Sequence, residues 1–148
     1  MEENKKENDL FYTCSLIEYI SRKTKNEKKI IVQKLGKEKI KKIYNLAEVY
    51  HSEDIEKVSD EFIKSSDISY GNYDIIKNCK YNIPSYFDIG RVYQRLILMI
   101  SDNEVEYIDN LIKVLTSWII KKIDNYNSSM YYENPEYIYE CFIEETIL

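Results

Sequence analysis

Glycine and proline are nearly missing from this chain: its 148 residues include 3 Gly and 2 Pro. Hairpin turns, phosphate loops and nucleotide-binding turns need backbone positions with positive φ, which glycine alone occupies without steric cost. With glycine only at Gly36, Gly71 and Gly90, no GxxxxGK[ST], GxGxxG or GxSxG motif can be formed. The scarcity directs the chain towards helices and away from phosphate-loop and nucleophile-elbow enzymes.

Hydrophobic periodicity supplies the helices. Residues 9 to 23 place Leu10, Cys14 and Ile17 at helical spacing, with Phe11, Leu16 and Ile20 widening the stripe. Asn26 fits the N-cap of a second helix carrying Ile30, Ile31 and Leu35, which Gly36 would close in a left-handed cap. A third helix from 37 to 51 puts Ile40, Ile43, Ala47 and Tyr50 on one face, and Ser52 begins a fourth with Ile55, Val58 and Phe62. Between 66 and 84 the period fails among Ser66, Ser69, Gly71, Asn72, Asn78, Asn82 and Pro84, all turn formers. Ser85 and Asp88 then have N-cap to N3 spacing for a fifth helix. Asp102 or Asn103 caps a long sixth, in which Val105, Ile108, Ile112, Leu115, Ile119 and Ile123 keep helical spacing beside Trp118. Asn134 and Pro135 open the last. The expectation is an all-α bundle of six to seven helices, as one compact domain or two packed halves. Those halves are residues 1–65, with a basic face, and 85–148, with an acidic, tyrosine-rich end, joined by an irregular linker over 66–84.

A 44% hydrophobic content is enough for a real core. Cys14, Cys79 and Cys141 are odd in number, widely spaced and without a CxxC pair, which predicts a reduced, cytoplasmic protein. The stretch from Met1 to Asp9 is charged, and no apolar run approaches the ~20 residues of a membrane span, so neither secretion nor membrane insertion is expected. No motif calls for a metal or cofactor.

The net charge of -5 is unevenly spread. Ten Lys or Arg lie between Arg22 and Lys42 against Glu27 and Glu38, whereas Tyr131 to Leu148 holds five Glu and no basic residue. Within the basic stretch Lys28, Lys29, Lys34, Lys37, Lys41 and Lys42 are the candidate nucleic-acid contacts. A helix-turn-helix with Gly36 as its turn would need apolar residues where Lys42 and Asn45 stand, so the register is wrong for sequence-specific DNA recognition. What remains is non-specific attraction of a polyanion or a solvated lysine face. Arg91 and Arg95, one turn apart, form a candidate anion site, against the alternative of an Asp88 to Arg91 pair with Arg95 packed. The single histidine, His51, lacks metal-ligand spacing and suits a helix C-terminus. Neighbouring carboxylates such as Glu53 and Asp54 point to different sides of a helix and form no shared acid-base pair.

The most distinctive segment is DNYNSSMYYENPEYIYECF, residues 124 to 142. Tyr126, Tyr131, Tyr132, Tyr137 and Tyr139, rimmed by Glu133 and Glu136, match the composition of a protein contact site. The same rings serve equally well to close the core. The leading expectation is a non-enzymatic protein-binding module acting through these residues. The alternative is a nucleic-acid-binding regulator using the lysine face, and a further one is an enzyme built on His51, Arg91, Arg95 and tyrosines. Self-association through the long sixth helix is a further expectation.

The runs FYTCSLIEYI, KKIIVQKLG, IKKIYNLAEVYH and IEKVSDEFI, within residues 11–65, resemble in layout a family of small uncharacterised helical bacterial proteins. Members are often encoded beside predicted ADP-ribosyltransferase-like toxins. The resemblance implies a toxin-antitoxin or defence setting, with a nearby toxin as partner, and transfers no catalytic residue.

Overall fold

The computed structural model describes residues 4–148, so the first three positions of the charged N-terminal stretch lie outside the described residues. Over these residues the chain is an all-α bundle of α1 (Lys5–Thr24), α2 (Lys28–Asn45), α3 (Ala47–His51), α4 (Ile55–Ser65), α5 (Tyr86–Ile100), α6 (Tyr107–Leu115), α7 (Ile119–Asp124) and α8 (Pro135–Glu144). A reciprocal cap starts α1 ahead of its apolar stripe. The Glu7 amide donates to Asn4 Oδ1 (2.9 Å) and the Asn4 amide to Glu7 Oε1 (3.1 Å).

Helix α1 is the axis of the bundle, because α2, α3, α4 and α5 all pack against it. From Asp9 to Thr24 nearly every side chain is buried, polar ones included. Leu10, Leu16, Ile17 and Ile20 are fully enclosed, each contributing about 1.5–3 kcal/mol by burial. Three of the hydroxyls are satisfied locally, since Thr13, Ser15 and Thr24 donate to the carbonyls of Asp9, Phe11 and Ile20 at 2.8, 2.9 and 2.8 Å, whereas the buried Tyr12 hydroxyl has no partner among the described residues. Helix α5 packs most extensively against α1, and Gly90 is a point of close approach. A Cβ there would stand 2.9 Å from Ser15 Cα.

Both halves share one connected set of buried side chains, with α1 on α5 and α2 on α6. The irregular stretch 66–84 is a strap across the end of α1. The amides of Gly71 and Tyr73 donate to the carbonyls of Thr24 (2.8 Å) and Lys25 (2.9 Å), and Asn26 Nδ2 donates to the Ser69 carbonyl (2.8 Å). Gly71 is required there, since a Cβ would lie 2.6 Å from the Lys25 carbonyl oxygen.

Gly36 ends the first stretch of α2 as its sequence indicates: at φ 75°, ψ 162° it is non-helical, and two helical segments meet there at a kink, the second running on to Asn45. Two boundaries further on differ from the sequence expectation. The helix expected over 37–51 is interrupted at Leu46 (φ -110°, ψ 17°), which leaves α3 as a separate short helix. The long sixth helix is broken at Thr116–Trp118 into α6 and α7. There Thr116 Oγ1 and Ser117 Oγ donate to the carbonyls of Ile112 and Val114, both at 2.6 Å. The Ile112 carbonyl also keeps its helical bond from the Thr116 amide (3.1 Å), whereas the Val114 carbonyl, which a continuing helix would offer to the Trp118 amide, takes the Ser117 amide (3.0 Å). Ile108, Leu115, Ile119 and Ile123, on the stripe expected as a face for self-association, are buried in the core. Helices α5 and α8 begin as their sequences indicate, at Ser85 with Asp88 and at Asn134 with Pro135.

Candidate functional site

Arg95 from α5 meets Tyr131, Tyr132 and Glu133, from the turn leading into α8, in one cleft of about 590 Å3. Ile83, Pro84, Val92, Leu96 and Ile138 give it an apolar lining. Three rings rise from core to surface. Tyr126 meets Tyr131 edge-on at 5.4 Å, and Tyr131 meets Tyr132 edge-on at 4.9 Å. Tyr126 is 3% exposed and Tyr132 is 68% exposed, so the stack holds its outermost ring in solvent from an anchored base. Glu133 accepts from Ser129 Oγ (2.8 Å), and Asp88 serves the cap of α5. Arg95 is exposed and makes no ion pair or hydrogen bond among the described residues. Its guanidinium is the cationic group of a cleft that Asp88 and Glu133 also line.

The other candidates lie elsewhere. Glu136 is exposed in the first turn of α8, Tyr137 donates to the Leu148 carbonyl (2.7 Å), and Tyr139 packs half-buried against the core. Arg91 lines a different cleft from Arg95, with its guanidinium 3.8 Å from the centre of the Phe11 ring and Nη1 donating to Gln94 Oε1 (2.9 Å). The two arginines thus do not converge on one anion. His51 lines the Arg91 cleft, exposed, with its ring 5.5 Å from that of Tyr12.

Of the six candidate lysines, Lys29, Lys34, Lys37, Lys41 and Lys42 are exposed, and Lys37 pairs with Asp109 (2.8 Å). Lys28 is a correction: it is completely buried and is no surface contact. Its Nζ lies 2.6 Å from Glu18 Oε1 and 2.7 Å from Asp124 Oδ1, and both carboxylates are enclosed with it. Arg22 Nε holds Glu18 Oε2 at 2.7 Å, while Tyr126, also counted among the contact candidates, donates to the same oxygen at 3.1 Å. Tyr93 donates to Asp124 at 2.8 Å and Tyr73, from the strap, at 3.4 Å. Tyr126 is thus the foot of the ring stack and a member of this network.

Charges within the network balance, two carboxylates against two cations. Burial pushes the Glu18 carboxyl up, but Lys28 and Arg22 outweigh it and hold the group below the usual carboxylate range. Burial and the Glu18 charge leave Asp124 raised despite Lys28. Burial, then the nearby carboxylates, raise the hydroxyls of Tyr93 and Tyr126 well above a free tyrosine. Every charged group is spent on another, an arrangement that joins α1, α2 and α7 to the strap and the tyrosine segment.

No group of three or more His, Cys, Asp or Glu side chains among the described residues is placed to hold a metal ion, and the three cysteines are free. No helix among these residues is long and apolar enough to cross a membrane. Compared with known protein families, curated proteins and solved structures, the chain gives no match.

Proposed function

We propose that this chain is a non-enzymatic protein-binding module whose partner inserts a segment into the cleft of Arg95 and Tyr132. The observation that carries the reading is an unpaired guanidinium beside a tyrosine ring 68% exposed above an apolar floor. Tyrosine and arginine dominate interface energetics, because each offers a large contact area with a polar or charged tip. A fitting segment presents an apolar side chain to Val92, Leu96 and Ile138 and a carboxylate to Arg95. Around that contact the rim carboxylates Glu133 and Glu136, with the chain's net charge of -5, favour a partner of basic surface. The resemblance over residues 11–65 supports a setting in which the partner is a toxin encoded nearby and this chain neutralises it in the bacterial cytoplasm.

Copurification with the product of the neighbouring gene tests the reading. Tyr132→Ala and Arg95→Ala should each weaken the complex at least about tenfold, or about 1.4 kcal/mol, with an unchanged far-UV circular dichroism spectrum. Unaltered affinity in the double variant would exclude the cleft.

A further inference from the structure

The break between α6 and α7 opens a groove of about 490 Å3, within the roughly 300–1,000 Å3 of small-ligand sites. It shares no residue with the Arg95 cleft. Trp118, the only tryptophan of the chain, lines it half-buried at the break. Tyr73 lines it from the strap, with its hydroxyl held by Asp124. Lys29 from α2 and Lys121 and Lys122 from α7 complete it, all three exposed.

Two carboxylates also line the groove. Asp124 is matched by Lys28 at 2.7 Å, and Glu27 faces Lys121 at 3.5 Å. Lys29 and Lys122 have no ion pair or hydrogen bond among the described residues, so they set the sign of the local field. In a chain of net charge -5 that local excess of cations runs against the overall charge. Thr116 and Ser117 point their protons inward, to the carbonyls of Ile112 and Val114, so each hydroxyl oxygen retains a lone pair to accept a ligand N–H. A half-buried indole, acceptors beside it and unpaired ammonium groups thereby line one groove.

We infer that this groove binds a nucleotide unit, its base stacked on Trp118 and its phosphate met by Lys29, Lys121 and Lys122. An indole face accepts any base, and ammonium groups meet phosphate as point charges, so the recognition is of nucleotide chemistry and not of sequence. Of the lysines singled out in the sequence only Lys29 takes part. The partners that matter, Trp118, Lys121 and Lys122, come from a helix break that periodicity does not reveal.

Trp118 is its own reporter, because no other tryptophan contributes to the signal. The full chain is titrated with ADP, with a ten-residue oligothymidylate, with inorganic pyrophosphate and with phosphatidylglycerol vesicles. Saturable quenching by ADP or the oligonucleotide is expected, with none from pyrophosphate, which has no ring. ADP binding as tightly as the oligonucleotide identifies a free nucleotide as the source, and binding of the oligonucleotide alone identifies a single strand. Three lysine contacts give a salt slope near -2, so oligonucleotide affinity should fall about twentyfold between 50 and 200 mM salt. Lys29→Ala with Lys122→Ala should weaken binding at least tenfold, and the salt slope provides a second reading that needs no variant. The assignment is overturned by absence of saturable quenching up to about 1 mM of either nucleotide probe, by unchanged affinity in the double lysine variant, or by a response to vesicles alone.

Discussion

Replacing Lys28 with methionine isolates the work of one enclosed ammonium group. Its Nζ touches Glu18 at 2.6 Å and Asp124 at 2.7 Å, with no part of the lysine side chain exposed. In Lys28→Met the Glu18 charge is still met by Arg22 at 2.7 Å, whereas Asp124 keeps only the hydroxyls of Tyr93 and Tyr73. Leaving one buried charge uncompensated costs about 3–5 kcal/mol, a large share of the roughly 5–15 kcal/mol that holds a domain folded. Methionine fills most of the vacated volume, so the loss is electrostatic and not that of a cavity. With a urea dependence of about 2 kcal/mol per molar, the unfolding midpoint read by Trp118 fluorescence should fall by about 1.5–2.5 M. Removing the stranded charge as well, in Lys28→Met with Asp124→Leu, should recover most of the loss, because apolar replacement of a whole buried pair is nearly neutral. A single-variant cost under about 1 kcal/mol, or a double variant no better than the single, refutes the argument.

Two further outcomes follow from the packing and the charges. Gly90→Ala should lower stability by about 1–2 kcal/mol in the same urea assay, since crowding against Ser15 Cα outweighs the roughly 1 kcal/mol gained in helix propensity; a stabilised variant would show that α1 and α5 separate without cost. The Glu18 carboxyl is held low in the folded state, so its contribution is present above the unfolded value of about 4.3 and lost as pH falls through the folded one. Wild type and Glu18→Gln should therefore converge in melting temperature as pH is lowered from about 5 through the folded value, and a constant gap would contradict the assignment.

The fold was largely legible because helices write themselves locally. Scarce glycine, a period of 3.6 and the caps at Ser85 and Asn134 depend on neighbours in sequence, and the structure has helices where those signals lie. The break at Thr116–Trp118 escaped because Ile112, Leu115, Ile119 and Ile123 keep their phase across it. Lys28 did carry a signal, standing three, four and seven positions before the buried Ile31, Val32 and Leu35, on the same face of α2. A lysine on the apolar face of a helix is a candidate for burial, but among nine other basic residues it reads as part of a solvated run. Its partners Glu18 and Asp124 are invisible to any local pattern. The meeting of Arg95 with Tyr131 and Tyr132 is likewise long-range, and only their residue types were informative.

The buried network also bears on time. The link from Lys28 to Asp124 spans 96 positions and that from Tyr126 to Glu18 spans 108, in a molecule otherwise built from helical turns. Turns of helix close within about a microsecond, whereas such distant partners meet only after large loops have closed. Desolvating the ammonium group is worthwhile only once both carboxylates stand ready, so the network assembles after the helices have docked. Interactions that form beyond the folding barrier slow unfolding and leave the folding rate nearly unchanged. Lys28 therefore sets how long each molecule stays folded, and has little say in how quickly it folds.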